Sequence, residues 1–169
     1  MDTASELTNT CVAFYLRHPT KISPELVLFK GGNDFISGGN HNILRPETVE
    51  SLFLMWRKTK DPIYRDWGWE IFQGFEQYSR SKVGYGGVID VRKERPYRDD
   101  TMQSFFLAET LKYLYLLFSE DELLPLDKWV LNTEAHPLRI TPDQSVGEPS
   151  TDGSSDISVS DLMKNATVA

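Results

Sequence analysis

Cysteine is almost missing from this chain: Cys11 is the only one among 169 residues. An internal disulfide is therefore excluded. The place of Cys11 in an apolar helical pattern marks it as a buried, unreactive thiol. Histidine is nearly as scarce. His18 and His41 read as surface or turn residues, His136 as a structural residue before Pro137, and without a cluster of His and Cys no zinc site is expected. No apolar run approaches the ~20 residues that span a bilayer. The segment Met1 to Glu6 is polar and lacks a signal-peptide core, so no targeting signal is expected within these residues. Basic residues are outnumbered 18 to 25, for a net charge of -7. Nucleic acid, whose phosphates demand a basic surface, is thereby disfavoured, whereas a neutral sugar or a cation suits that charge.

What is present suffices for one domain with a real core: 40% hydrophobic and 12% aromatic residues, the aromatics concentrated between Phe53 and Phe118. Ser5 to Arg17 reads as a helix with Leu7, Val12, Phe14 and Tyr15 on its apolar side, ended by His18-Pro19. Leu26 to Phe29 reads as a strand. Gly31-Gly32-Asn33-Asp34 and Gly38-Gly39-Asn40-His41 read as turns. Pro46 to Lys58 is the clearest helix, with proline at its start, Glu47 and Glu50 in the first turn, and Val49, Leu52, Phe53 and Trp56 on one side. Asp61 is a good cap for a second helix, Ile63 to Tyr78, whose inner stripe is Trp67, Ile71, Phe75 and Tyr78. Two helices joined so tightly make a hairpin.

Farther along, Val88 to Val91 reads as a short strand after a glycine-rich turn. Met102 to Phe118 reads as a helix apolar on almost every side, and hence buried all round. Trp129-Val130-Leu131 reads as a strand. From Thr141 to Ala169 large apolar residues become rare, so a disordered polar tail is expected, carrying an N-glycosylation sequon at Asn165. Paired helices with short strands between them, recurring about every 50 residues, suggest hairpins of an α/α arrangement. Three long helices do not close such a domain.

A few residues could carry chemistry. Glu47 lies at the mouth of its helix beside Arg45, where a carboxylate can activate a water; the plainer reading is a first-turn acid satisfying the helix dipole. Arg45 offers a planar fork of donors, or a surface ion pair. Glu109 sits in the middle of the most apolar helix, where a carboxylate is expensive unless paired. Phe105 lies one turn before it, and an aromatic face beside an acid suits a sugar ring; alone it reads as an ordinary core residue. Thr133 and Glu134 follow a strand. A threonine hydroxyl and its own carbonyl give two hard oxygens suited to calcium, although a strand-ending Thr with a solvent-facing Glu is the simpler assignment.

Three runs carry a family resemblance: Leu44-Arg45-Pro46-Glu47-Thr48-Val49-Glu50-Ser51, the stretch from Phe105-Phe106-Leu107-Ala108-Glu109-Thr110 to Phe118, and Asn132-Thr133-Glu134-Ala135-His136-Pro137. From Ile43 to Leu138 the chain resembles the C-terminal part of the class I α-1,2-mannosidases, glycoside hydrolase family 47. The helix before it and Ser23-Pro24-Glu25 look similar to the preceding segment of that family. The resemblance implies a mainly α fold, residues 1–140 forming part of an (α/α)7 barrel of helical hairpins with short strands between them, and residues 141–169 lying outside it. It implies inverting hydrolysis of terminal α-1,2-linked mannose on high-mannose N-glycans. Glu47 would be the catalytic base; Arg45, Phe105, Glu109 and Glu134 would line the mannose pocket; Thr133 would bind Ca2+, with waters held by the carboxylates. It also implies an endoplasmic reticulum or Golgi lumenal location, with membrane association only through an anchor absent from this chain. The family's general acid and another essential carboxylate come from earlier hairpins, and no motif for either precedes Arg45, so the isolated chain is expected to be inactive. A non-catalytic glycan-binding relative and an inert truncated fragment are the rival readings.

Overall fold

The computed structural model describes residues 1–32 and 34–141. The polar tail beyond Thr141, with the Asn165 sequon, lies outside the described residues. Among those described, no helix is long and apolar enough to cross a membrane.

The chain opens with α1 (Asp2–Leu16), which starts three residues before the expected Ser5. Its buried side is Thr8, Val12 and Tyr15; Leu7, expected on that side, is exposed. Cys11 is half-buried, and burial pushes its thiol pKa up, consistent with an unreactive group. A hairpin follows, β1 (Leu26–Phe29) pairing antiparallel with β2 (Phe35–Gly39). Gly38 and Gly39 therefore belong to a strand, not to the expected turn. A Cβ on Gly38 would sit 2.8 Å from the Leu28 Cγ, so the glycine serves cross-strand approach.

The centre of the molecule is the helical hairpin of α2 (Glu47–Thr59) and α3 (Ile63–Gly74). Pro46 precedes α2 in a helical conformation, with its fixed φ and missing N–H costing nothing there. Val49, Leu52 and Phe53 of α2 are fully buried, each burial contributing about 1.5–3 kcal/mol. Lys60 ends α2 in the left-handed region at φ 59°, and the Asp61 carboxylate accepts the Ile63 N–H at 3.0 Å to start α3. Ile71 and Phe75 are fully buried, while Trp67 and Tyr78 pack half-buried against the core. The last turn of this helix widens to π geometry over Phe75–Ser79.

Two expectations fail in the next stretch. Val88 to Val91 is not a strand: Val88 makes single bridges to Asn42 and Arg98. The cause is Asp90, whose carboxylate accepts both the Arg92 backbone N–H and its guanidinium, bending the chain at once. The helix expected over Met102–Phe118 consists of a π turn, Phe106–Leu111, leading into α4 (Lys112–Phe118). Nor is it buried all round. Phe106, Tyr113, Leu114, Leu116 and Leu117 face the core, but Leu107 and Tyr115 are 57% and 66% exposed. Trp69 and Phe72 of α3 join Tyr115 and Phe118 along an open apolar groove of about 470 Å³. A 3₁₀ turn (Asp121–Leu123) and a second hairpin, β3 (Trp129–Leu131) with β4 (Pro137–Arg139), complete the described chain.

Helix α3 meets backbone closely at Gly74, where a Cβ would lie 2.7 Å from the Thr20 carbonyl and 3.0 Å from the Lys21 backbone. Backbone cannot swing aside as a side chain can. Gly74→Ala in the full-length gene product is expected to cost about 1–3 kcal/mol through overpacking, read as a lower urea midpoint at unchanged slope. An unchanged midpoint would show that α3 has room there.

Candidate active site

The site is built on the helix that carries Glu109 and on the two loops packed against it. Phe105 lies just before the π turn, and Glu109 lies within it, where the helix is wound wider than an α-helix. On one side runs the loop into α2. The Arg45 guanidinium sits 5.9 Å from the Phe105 ring centre and 4.0 Å from the Glu47 carboxylate. On the other side is the tight turn between β3 and β4. There the Asn132 carboxamide oxygen accepts the N–H groups of Glu134 (3.0 Å) and His136 (2.9 Å), and its backbone carbonyl accepts that of Ala135 at 2.9 Å. Those bonds leave the side chains of Thr133 and Glu134 projecting into solvent.

The charges of several carboxylates reach Glu109. Glu109 is partly buried, and its carboxyl pKa is pushed above the ordinary value, first by burial and then by the negative charges of Glu47, Glu134 and Glu50. Lys112 opposes the shift. Acids from α2, the π turn and the β3–β4 turn thus converge. Glu50, not singled out from the sequence, belongs to the group; it sits one turn after Glu47 on the same face of α2.

Arg45 is held from behind. It is ion-paired with Glu25, whose side chain is largely buried and whose second oxygen, also buried, has no hydrogen-bond partner among the described residues. Glu25 lines a polar cavity of about 210 Å³ together with Tyr15, Ser23, Asn42, Arg45, Glu47 and Thr48. The Tyr15 phenol pKa is raised by complete burial, with Thr48 as its side-chain hydrogen-bond partner. Of the residues expected from sequence, Arg45 and Glu47 line this cavity; Phe105, Glu109, Thr133 and Glu134 stand outside it. Glu25 is the residue that charge patterning passes over, because a lone Glu ahead of a strand reads as solvated.

The donor set fits a hard cation held through oxygen. Among the described residues no three His, Cys, Asp or Glu side chains are close enough to hold a metal directly. The Thr133 hydroxyl makes no hydrogen bond among the described residues, and burial together with the charges of Glu47, Glu134 and Glu50 raises the proton affinity of Glu109, which is the setting in which a cation reached through water is welcome.

The raised Glu109 pKa makes a stability claim. Protonated Glu109 costs nothing extra, so its contribution is intact below the ordinary carboxylate range and is lost as pH climbs through the raised value. Glu109→Gln, melted in chelator, is expected to be more stable than the native protein at neutral pH and to lose that advantage below the carboxylate range. A native-like melting curve across the whole range would remove the charge convergence.

Comparison with known proteins gives a consistent result. The family model described as Glycosyl hydrolase family 47 matches residues 1–140. The chain is 50% identical over 147 residues to human mannosyl-oligosaccharide 1,2-alpha-mannosidase IC, covering 85% of this chain and 23% of that protein. It is 56% identical over 137 residues to mannosyl-oligosaccharide 1,2-alpha-mannosidase MNS1 of Arabidopsis thaliana, covering 81% and 24%. The fold superposes on the alpha-1,2-mannosidase from Trichoderma reesei with a TM-score of 0.75 at 31% identity, over 80% of this chain and 33% of that one. This bears out the expected fold class, mainly α and part of an (α/α)7 barrel, and although it spans less than a quarter of the length of these curated relatives, the chain belongs to glycosyl hydrolase family 47.

Proposed function

We propose that this chain supplies one wall and the floor of a pocket that removes terminal α-1,2-linked mannose from high-mannose N-glycans. Carrying the proposal is the arrangement around Glu109: three carboxylates from two other segments whose charges reach it, an arginine–phenylalanine pair on the loop into α2, and the Thr133 turn that carries Glu134. Relatives whose names specify mannosyl-oligosaccharide 1,2-alpha-mannosidase support the substrate class.

In this reading the Phe105 ring packs against the CH face of the sugar, and Arg45 donates to its hydroxyls. Glu25 fixes the Arg45 guanidinium by its ion pair. Glu47 lies two residues after Arg45, at the start of α2, exposed to water, and takes the proton of the attacking water as general base. Inversion needs an acid some 6.5–9.5 Å from that base with room for the water between them. That acid is assigned to the part of the family's length that this chain does not match. Thr133 would hold calcium through its hydroxyl and carbonyl, with Glu47, Glu109 and Glu134 anchoring waters around it. When bound, the ion would supply a fixed positive charge that offsets the acids and orients sugar hydroxyls. Substrate chemistry of this kind belongs in the lumen of the endoplasmic reticulum or Golgi.

Glu47→Gln in the full-length gene product is expected to lower kcat by about 10²–10⁴-fold while glycan binding survives; turnover within a few-fold of native would refute the base. Thr133→Ala is expected to abolish the rise in melting temperature that calcium gives. If that rise persists in the alanine variant, the ion sits elsewhere.

A further inference from the structure

Nothing above uses two grips that the Glu109 helix exerts on its neighbours. Thr110 is fully buried, and its hydroxyl donates to the Leu44 carbonyl at 2.6 Å. Leu44 is also fully buried and sits at φ 70°, in the left-handed region that a γ-branched side chain rarely adopts. Its N–H donates to the Asn42 carboxamide oxygen at 2.8 Å, and the Asn42 amide donates in turn to the Ser23 carbonyl at 2.9 Å. The next residue is Arg45. Two positions along the helix from Thr110, the Lys112 ammonium donates to the Ala135 carbonyl at 2.8 Å. Ala135 is fully buried, stands at φ 56°, and directly follows Glu134.

Four non-glycine residues among those described have positive φ: Lys21, Leu44, Lys60 and Ala135. Lys60 is accounted for as the end of α2. The two whose carbonyls are held by side chains of the Glu109 helix each adjoin a candidate site residue. Strained backbone persists only where its surroundings over-determine it, and such places cluster at functional sites.

We propose that Thr110 and Lys112 are positioning residues: from one rigid helix, Thr110 sets Arg45 and Glu47, and Lys112 sets Thr133 and Glu134, each relative to Glu109. This rests on the glycosidase reading above, since it assigns the two grips to that site. The helix then acts as a ruler. Successive polar groups at 109, 110 and 112 contribute one site carboxylate and fix the two loops that bring the others, so the separation of base, pocket acids and calcium turn is written into a single element. Lys112 has a second effect, because its positive charge is the one that opposes the carboxylates around Glu109.

The test uses the full-length gene product with four substitutions: Thr110→Val, Thr110→Ser, Lys112→Met and Lys112→Arg. Turnover is followed on α-1,2-linked mannobiose, and calcium affinity from melting temperature against calcium concentration. Thr110→Val is expected to lower kcat about 10²-fold, as a misplaced loop does, and to raise KM because Arg45 moves with Glu47, with a smaller effect on calcium affinity than Lys112→Met has. Lys112→Met is expected to weaken calcium binding about 10–100-fold. The Ser and Arg variants should recover most of each loss. Losses in the Ser and Arg variants equal to those in Val and Met, or native values in all four, overturn the proposal. Should the valine variant not fold, the half-buried Lys112 arm decides. A crystal structure of Thr110→Val reads the loop without any activity: the Arg45–Glu25 ion pair should be lost, and an intact pair counts against the proposal even where turnover falls. A native protein that releases no mannose removes the glycosidase reading, while the calcium and structural readouts still judge the two grips.

Discussion

Like charges gathered on one face cost free energy unless a positive charge lies among them, and the structure gathers four. Glu47 and Glu50 come from the start of α2, Glu109 from the π turn, and Glu134 from the β3–β4 turn, with Lys112 the nearby cation that opposes them at Glu109. One partly exposed lysine offsets little, since an exposed ion pair contributes about 0–1 kcal/mol. The chain nevertheless holds the acids in place with strained backbone and buried hydrogen bonds. Structure that expensive is kept where chemistry needs it.

Packing elsewhere serves that gathering. The α2–α3 hairpin gives the site its fixed base, with Val49, Leu52, Phe53 and Ile71 fully buried between it and the Glu109 helix. At the far end of the same helices, Arg57, Lys60 and Arg65 fasten the segment that leads into β3. The Arg57 guanidinium donates to the carbonyls of Asp121 and Leu124, Lys60 pairs with Asp121, and Arg65 donates to the Leu117 carbonyl while stacking 4.0 Å from the Trp56 ring. The β3–β4 turn therefore reaches the site from an anchored start.

Much of this was legible in the residues themselves. Pro46 with two acids behind it marks the start of α2, Asp61-Pro62 marks the hairpin, and the i, i+3, i+4 spacing of large apolar residues marks the buried faces. Glu109 stood out as a carboxylate in an apolar helix, and the structure finds its proton affinity raised. Other features depend on contacts far apart in sequence and were not legible. The left-handed Leu44 is stabilised by Thr110, 66 residues away, and no local propensity announces it. Val88 to Val91 has β-branched residues but lacks a partner strand, and Asp90 bends it. The apolar character of α4 suggested full burial, yet Tyr115 and Phe118 lie open along the groove with Trp69. Apolar composition reports what a helix can cover, not which neighbours are at hand.

Membership of glycosyl hydrolase family 47 rests on the matched residues 1–140, and the relatives are some four times longer than the region they share with this chain. The site's central premise is electrostatic, so it is best measured at the group that carries it. In the full-length gene product with ¹³C-labelled glutamate, the Glu109 carboxyl should titrate above the ordinary carboxylate range without calcium, and its midpoint should fall when calcium is added. An ordinary midpoint, indifferent to calcium, would contradict the convergence of charge on which the site is built.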